Sequence, residues 1–403
     1  MPPTPERERS RTGRVCAIRQ FPFDTHLRRE VETMLEAGHE VEVVCMWRPG
    51  EPRRERRGRL TIWRMPLTHR RGNAGRYVYE HSAFVLLATL WLSMRHLRRR
   101  FDLVQVNSPP DSLAFVAAVP KLMGAPVLLD LVECTPEFFA TRFGTGTGHP
   151  LVRLLERVEQ LAIRFADRAI TGTAQMRERF VSRGADPASI DVVLNASDER
   201  LFDPSKAPVA ARDGDERFTL ISHGSIEPRY GLDTIVRAVA LLAGELPGLR
   251  FEVYGEGSHR EELRRLAAEL GVDDRVTFSD GFVPIDELVA AIARADAGVV
   301  AVRRDPFRDL THTNKMFDFI AMRRPAIVSW TQSVADYFDE SALQYFRSGD
   351  PEDLARAIAE LQRDPQRRER MVRRSADLHE HYRWSRQRGV YLGAIDRLLS
   401  PGR

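Results

Sequence analysis

Hydrophobic and polar positions along this chain follow two alternating periods. Short, nearly unbroken apolar runs recur at RVCAIR (14–19), VEVVCM (41–46), LTIWRM (60–65), LVQVN (103–107), PVLLDLV (126–132), AITGT (169–173) and DVVLN (191–195). A second set follows at FTLISHG (218–224), FEVYG (251–255), VTFSD (276–280), AGVVAV (297–302) and PAIVSW (325–330). Runs of Val, Ile and Leu without polar alternation predict strands buried on both faces. Amphipathic segments of helical period separate most of them; HLRREVETMLEAGHE is one, stopped by Gly38. Strand–helix alternation of this kind predicts parallel sheets in α/β layers.

The alternation occurs twice. Between the two sets, ASDERLFDPSKAPVAARDGDER is polar, carries Pro204, Pro208 and Gly214, and has little apolar period. It reads as a linker. The expected organisation is a disordered tail over 1–12, a first Rossmann-like domain over 13–200, a linker over 201–216 and a second Rossmann-like domain over 217–380. A last helical stretch, 381–403, is expected to pack back on the first domain. The fold class is therefore α/β, with two doubly wound domains facing a cleft. Ligands of such sheets bind beyond the carboxyl ends of the strands.

Composition adds limits. At 403 residues the chain is long enough for two or three domains with their own cores. The formal net charge is +4 and Arg is abundant, which favours anionic partners weakly. Basic residues are scattered without an aromatic-interleaved patch, so nucleic acid is not an expected partner. Cys16, Cys45 and Cys134 lie far apart, which argues against a disulfide framework and for a reducing, cytoplasmic setting. The start, MPPTPERERSRTGR, lacks the apolar core of a signal peptide. The window AFVLLATLWLSM (83–94) is too short to span a bilayer. It runs into Arg95, Arg98, Arg99 and Arg100. A core helix with a basic exit and a peripheral contact with anionic membrane at the inner face are both open readings, the core role the simpler.

Candidate chemistry gathers at the strand ends of the second half. FTLISHG passes into GSIEPRYGLDTIVRA, where Gly224 and Ser225 begin a loop, Arg229 offers a planar cationic fork and Gly231 opens a helix. FEVYG ends on Gly255. Its Gly255-x-Gly257 mimics the start of a dinucleotide fingerprint, but position 260 is Arg. VTFSD leads to Gly281-Phe282-Val283. AGVVAV leads through Asp309, Thr313 and Asn314 to Lys315 and Asp318, which share one side of a helix's first turn. Lys315 suits a diphosphate and Asp318 suits ribose hydroxyls, although an exposed ion pair is the simpler reading of two such residues alone. In the first half, His26 opens a helix, and Asp130, Glu133 and Glu137 crowd one strand exit. These carboxylates can orient hydroxyls or act as a base; a helix N-terminal acid fits Glu137 as well. No pair of His residues has metal-ligand spacing.

Taken in order, these pieces resemble the family 4 retaining glycosyltransferases of the GT-B fold, over about residues 14–399. FPFDTHLRREVETMLEAGHEVEVV, FDLVQVNSPP, LLDLVECTPEFF, SHGSIEPRYGLDTIVRA, FEVYGEG and NKMFDFIAMRRPAIVS carry the likeness. The resemblance implies transfer of a sugar from a nucleotide donor, with retention and without a required metal or cofactor. It implies that the second domain binds the donor and the first the acceptor: a glycan, a lipid-linked molecule or a small molecule. By position, Arg229 and Lys315 would hold the diphosphate and Asp318 the ribose, and Phe282 and Val283 would contact the base. Gly255 would let the donor approach. Glu133 is the acceptor-side polar candidate, with His26, Asp130 and Glu137 near it. The chain departs from the pattern twice. Leu310 stands where a first glutamate is usual, with Asp309 adjacent, and Val132 stands where many members have histidine. A sugar-nucleotide epimerase or hydrolase of the same build, and a non-catalytic partner subunit, are the alternatives these departures leave open.

Overall fold

The computed structural model describes residues 12–19, 25–69, 74–207 and 217–400. The expected tail, apart from residue 12, and positions 208–216 of the expected linker lie outside the described residues. The chain forms two compact units. One runs up to Leu194 and takes in the stretch from Arg388 onward; the other is Asn195–Gln387.

The first unit is built on a sheet of strands β1 (Arg14–Arg19), β2 (Glu40–Met46), β3 (Arg54–Arg57), β4 (Leu60–Met65), β5 (Leu103–Asn107), β6 (Val127–Leu131), β7 (Arg168–Thr171) and β8 (Ile190–Val192). Their order is β3-β4-β2-β1-β5-β6-β7-β8. All neighbours are parallel except β3 and β4, a hairpin. The helices are α1 (Thr25–Glu36), α2 (Ala74–Arg98), α3 (Ala118–Leu122), α4 (Thr135–Phe143), α5 (Pro150–Phe165) and α6 (Ala174–Ser182). The connections from β4 through β8 all step across the sheet in one direction, whereas β1 to β2 steps the other way. Right-handed crossovers therefore put α2, α3, α5 and α6 on one face and α1 on the other.

The second unit carries β9 (Phe218–His223), β10 (Leu249–Tyr254), β11 (Val276–Phe278), β12 (Ala297–Val300), β13 (Ala326–Ser329) and β14 (Gln344–Phe346), ordered β11-β10-β9-β12-β13-β14 and all parallel. Its helices are α7 (Leu232–Leu241), α8 (Arg260–Glu269), α9 (Ile285–Arg294), α10 (Asn314–Ala321), α11 (Gln332–Ala335), α12 (Pro351–Arg363) and α13 (Pro365–Tyr382). Helix α14 (Trp384–Leu399) starts in this unit and ends in the first. There Tyr391, wholly buried, donates its hydroxyl to Gln105 Oε1 at 2.6 Å.

Burial explains why the apolar runs form these strands. Every residue of β1, β5, β6, β9, β12 and β13 is buried. One glycine seats the helix that matters most for function. A Cβ on Gly298 of β12 would lie 2.2 Å from the Phe319 ring, so only glycine lets α10 settle on the sheet.

Candidate functional site

The carboxyl edge of the second unit's sheet is shaped by glycines. After β9, Gly224 takes φ +93°, and after β10, Gly255 takes φ +140°. The two loops run together: Gly224 donates to the Tyr254 carbonyl and Ile226 to that of Glu256, both at 2.8 Å. A Cβ on Gly255 would sit 2.0 Å from the Gly224 carbonyl oxygen, and one on Gly257 would sit 1.9 Å from that of Ile226. The Gly-x-Gly here is therefore a packing device between two strand exits. Gly255→Ala should cost about 2 kcal/mol or more, because positive φ and a backbone collision act together. The check is thermal unfolding, with Gly244→Ala, whose Cβ meets nothing within 4 Å, as the control.

Lys315 lies across this turn; its Cε is 2.9 Å from where a Gly224 Cβ would be. Its Nζ stands 4.0 Å from the ring centroid of Tyr230. Arg229 and Arg308 approach the same ring, their Cζ atoms 5.0 Å and 5.5 Å from its centroid. The ring is fixed by the turn Pro228–Tyr230, which closes on Gly231 at φ +62°. A Cβ on Gly231 would meet the Ala301 carbonyl oxygen at 2.0 Å. Three cations thus share one aromatic face. Their side chains have no carboxylate in ion-pair range among the described residues. Elsewhere in the chain arginines pair repeatedly with acids, as Arg14 and Arg95 do with Glu42. Burial, then the charges of Arg308 and Arg229, lower the Lys315 ammonium to about 7 against an opposing pull from Asp318.

Asp318 and His223 sit beside this cluster, each more than nine-tenths buried. His223 Nε2 is 3.6 Å from Asp318 Oδ2 and has no hydrogen-bond partner. The ring packs edge-on to Phe319 at 5.3 Å. Burial first, and then Lys315, push His223 down to about 3, so it is a neutral imidazole. Asp318 and Lys315 are therefore no exposed surface pair. Thr313 precedes α10 without capping it through its side chain, and its buried Oγ1 has no hydrogen-bond partner; nor has Nδ1 of His312 next to it. Both residues line a small cavity with Val300, Val328 and Thr331. Ser225 and Phe282 are exposed, Val283 and Asn314 partly so. Asp309 is engaged elsewhere: it accepts from Arg304 at 2.9 Å and from the backbone N–H of Gln332, the first residue of α11, at 3.1 Å.

In the first unit, His26 and Asp130 come together across 104 residues. His26 Nε2 lies 2.9 Å from Asp130 Oδ2 and 3.4 Å from Glu30 Oε1. Gln105 and Asn107 donate amide N–H to Glu30 Oε2 at 2.8 Å and 2.9 Å, and Asn107 also donates to Asp130. Burial pulls the His26 pKa down, but Glu30 and Asp130 outweigh it and raise the pKa to about 10. This is an imidazolium between two buried carboxylates. The same three residues present ligand-type atoms within 4.8 Å of one another, the geometry a metal ion could use. As they stand, those atoms answer each other's charge.

Glu133 is partly buried in the loop after β6 and near Asp111. Asp111, which sequence reasoning missed, is buried, and its pKa rises to about 6, by burial first. Glu137 belongs to a different cluster. Its carboxylate is 1% exposed, and Arg183 and Arg179 bind it at 2.6 Å and 3.1 Å. The placement of Glu137 with the acceptor-side residues is corrected on that ground: its oxygens are occupied by structural arginines. Among the second unit's residues, Arg308, Tyr230 and His223 were missed. Arg308 looked like one more surface arginine in RRDPFRDL, and His223 stood inside an apolar strand run.

Comparison with known proteins assigns the chain. Residues 24–196 match the model of the glycosyl transferase 4-like domain, and residues 217–364 match that of glycosyl transferases group 1. The chain belongs to the family 4 glycosyltransferases. It is 30% identical over 238 residues to a GDP-mannose-dependent α-(1-6)-phosphatidylinositol monomannoside mannosyltransferase of Mycobacterium tuberculosis. That match spans 57% of this chain and 59% of the relative's length. It is 29% identical over 293 residues to a 2-deoxystreptamine glucosyltransferase of Streptomyces kanamyceticus, covering 66% of this chain and 72% of the relative. The fold of sucrose-phosphate synthase from Thermosynechococcus elongatus superposes with a TM-score of 0.76 at 19% identity, over 96% of this chain and 99% of that one. The family 4 chain thus has the GT-B pair of Rossmann-like domains.

Proposed function

We propose that this family 4 chain transfers a glycosyl group from a nucleoside diphosphate sugar to a hydroxyl of a glycan, a lipid-linked molecule or a small molecule, with retention of configuration. The observation that carries the reading is the grouping of Arg229, Arg308 and Lys315 around Tyr230, with no acid paired to them, at a glycine-shaped strand edge. Like charges held together and largely buried favour an anion that neutralises them. A diphosphate supplies that anion. When the anomeric C–O bond breaks, charge grows on the departing phosphate and the three cations stabilise it. The acceptor oxygen bonds to the same face, and its proton goes to the departing phosphate. No metal is needed for that charge neutralisation. Asp318 is placed to accept from a ribose hydroxyl, with His223 behind it. The named donors of the relatives, GDP-mannose among them, make GDP- and UDP-sugars the first candidates.

Asp130, Glu133 and His26 form the acceptor side of this reading. A lipid-linked acceptor, like the phosphatidylinositol monomannoside in the name of one relative, would be met at a membrane surface. Leu310 is buried and Asp309 is engaged by Arg304, which favours a second reading, a nucleotide-binding partner subunit without transfer activity. The deciding experiment is calorimetric titration with UDP and GDP, followed by product analysis with the matching sugar donors and an acceptor panel. New glycoside with the donor's anomeric configuration is expected. Tight nucleotide binding with intact donor would support the partner subunit instead, and epimerised or merely hydrolysed donor would overturn both.

A further inference from the structure

One face of the first unit is apolar and basic at once. Among the described residues, twelve of the seventeen exposed large apolar side chains lie between Val78 and Leu161. On α2, Tyr79, Leu86, Leu90 and Leu97 recur at helical spacing and form one exposed stripe. On α5, Leu151, Leu154 and Leu161 do the same. The two helices lie on the same side of the sheet and are joined through the short 3-10 turn Asp111–Ala117. His81 of α2 reaches Ser112 at 3.0 Å, and Phe115 stacks edge-on to Phe165 of α5 at 5.3 Å. Leu122, at the end of α3 beside that turn, is 87% exposed. This is a continuous surface, larger than scattered apolar residues require.

The charges on it are of one sign. Arg98, Arg142, Arg153, Arg157 and Arg164 are exposed, and none is in an ion pair among the described residues. The carboxylates of α2, α4, α5 and the 3-10 turn are Glu80, Asp111, Glu137, Glu156 and Glu159, and none is exposed. Glu156 lies against Arg183 at 2.9 Å. A second copy of the chain would set these arginines against their own kind with no acid to answer them. A sheet of anionic headgroups answers all of them and accepts the leucines beneath.

We infer that the α2–α3–α5 face of the first unit docks on the surface of an anionic bilayer, lying in the interface without crossing it. No described helix is long and apolar enough to cross. The inference does not depend on the glycosyl-transfer reading, since the surface shares no residue with the cation cluster.

The test is flotation of the whole chain with vesicles of phosphatidylcholine alone and of an equimolar mixture with phosphatidylglycerol, at low and high salt. Binding to the mixed vesicles alone, weakened by salt, is expected. The triple variant Arg153→Glu/Arg157→Glu/Arg164→Glu should lose roughly a hundredfold in partitioning, at about tenfold or less per arginine. Leu86→Ser/Leu90→Ser should weaken binding without changing its salt dependence. Nucleotide titration serves as the fold control in all variants. Absence of binding to anionic vesicles, equal binding to neutral ones, or a concentration-dependent dimer that the leucine variant abolishes would overturn the inference. Failure to bind any nucleotide would instead count against the donor site and leave this result standing.

Discussion

Replacing Lys315 with methionine is expected to weaken UDP or GDP binding by roughly a hundredfold, the worth of one or two charge-assisted hydrogen bonds. The same change should leave the free protein as stable as before, or more so. Lys315 is largely buried, flanked by Arg229 and Arg308, and its pKa is held near 7. Below that value the folded chain carries an ammonium among like charges. From about 7 up to the ordinary lysine value, the unfolded chain binds the proton that the folded chain has released. Stability of the free wild type therefore rises with pH across that interval. Ligand affinity moves the opposite way. A diphosphate favours the ammonium, so binding above pH 7 takes up a proton and weakens by up to about tenfold per pH unit. Calorimetry in buffers of different ionisation enthalpy would register the uptake, and Lys315→Met should abolish it. Undiminished affinity in the variant would remove Lys315 from the site. Wild-type binding without proton uptake at pH 8 would show that the lysine is already charged, and that the cluster is less desolvated than its burial indicates.

The physical reason this site could be read in part from the sequence is positional. Strands were legible from their Val, Ile and Leu runs because burial on both faces removes polar alternation. Residues just past a run then fall at the sheet's carboxyl edge, which brought Gly224, Arg229, Gly255, Lys315 and Asp318 into one region. What stayed hidden depends on tertiary contact. Strand β3, RERR, has no apolar residue; it exists through its antiparallel pairing with β4 and through Arg54 stacking on Trp63 at 4.7 Å. Strand β14, QYF, is too short to show a period. Helix α2 seemed simplest as a core helix, yet one side is exposed, because its apolar residues continue round the helix beyond the face that packs. Arg308 and Arg304 stand four apart in the same loop, one stacked over Tyr230 and the other bonded to Asp309, and nothing in the sequence separates them.

Glu137 presents the same limit as a measurable result. It was read beside Asp130 and Glu133 because all stand at one strand exit, but its partner is 46 residues away. Arg183 binds Glu137 at 2.6 Å, Glu156 at 2.9 Å and Glu159 at 3.2 Å, and Glu137 and Glu159 are almost wholly buried. Burial is the largest influence on Glu159 and, against the opposing pull of Arg183, raises it to about 8. Removing the arginine leaves these carboxylates with only the partly exposed Arg179 nearby. Arg183→Met is therefore expected to cost about 3–5 kcal/mol and to lower the melting temperature by roughly 10 °C. The deficit should shrink as pH falls from 8 towards 5, because the orphaned carboxyls have folded pKa values above their unfolded ones and regain stability by protonation in that window. The triple variant Arg183→Met/Glu137→Gln/Glu159→Gln should recover much of the loss, since neutral amides no longer need a counter-charge. Glu137→Gln alone should leave acceptor KM unchanged. A raised acceptor KM with an unaltered melting temperature would return Glu137 to the acceptor side. A deficit independent of pH would mean that Arg183 stabilises by packing its stem and not by pairing its charge.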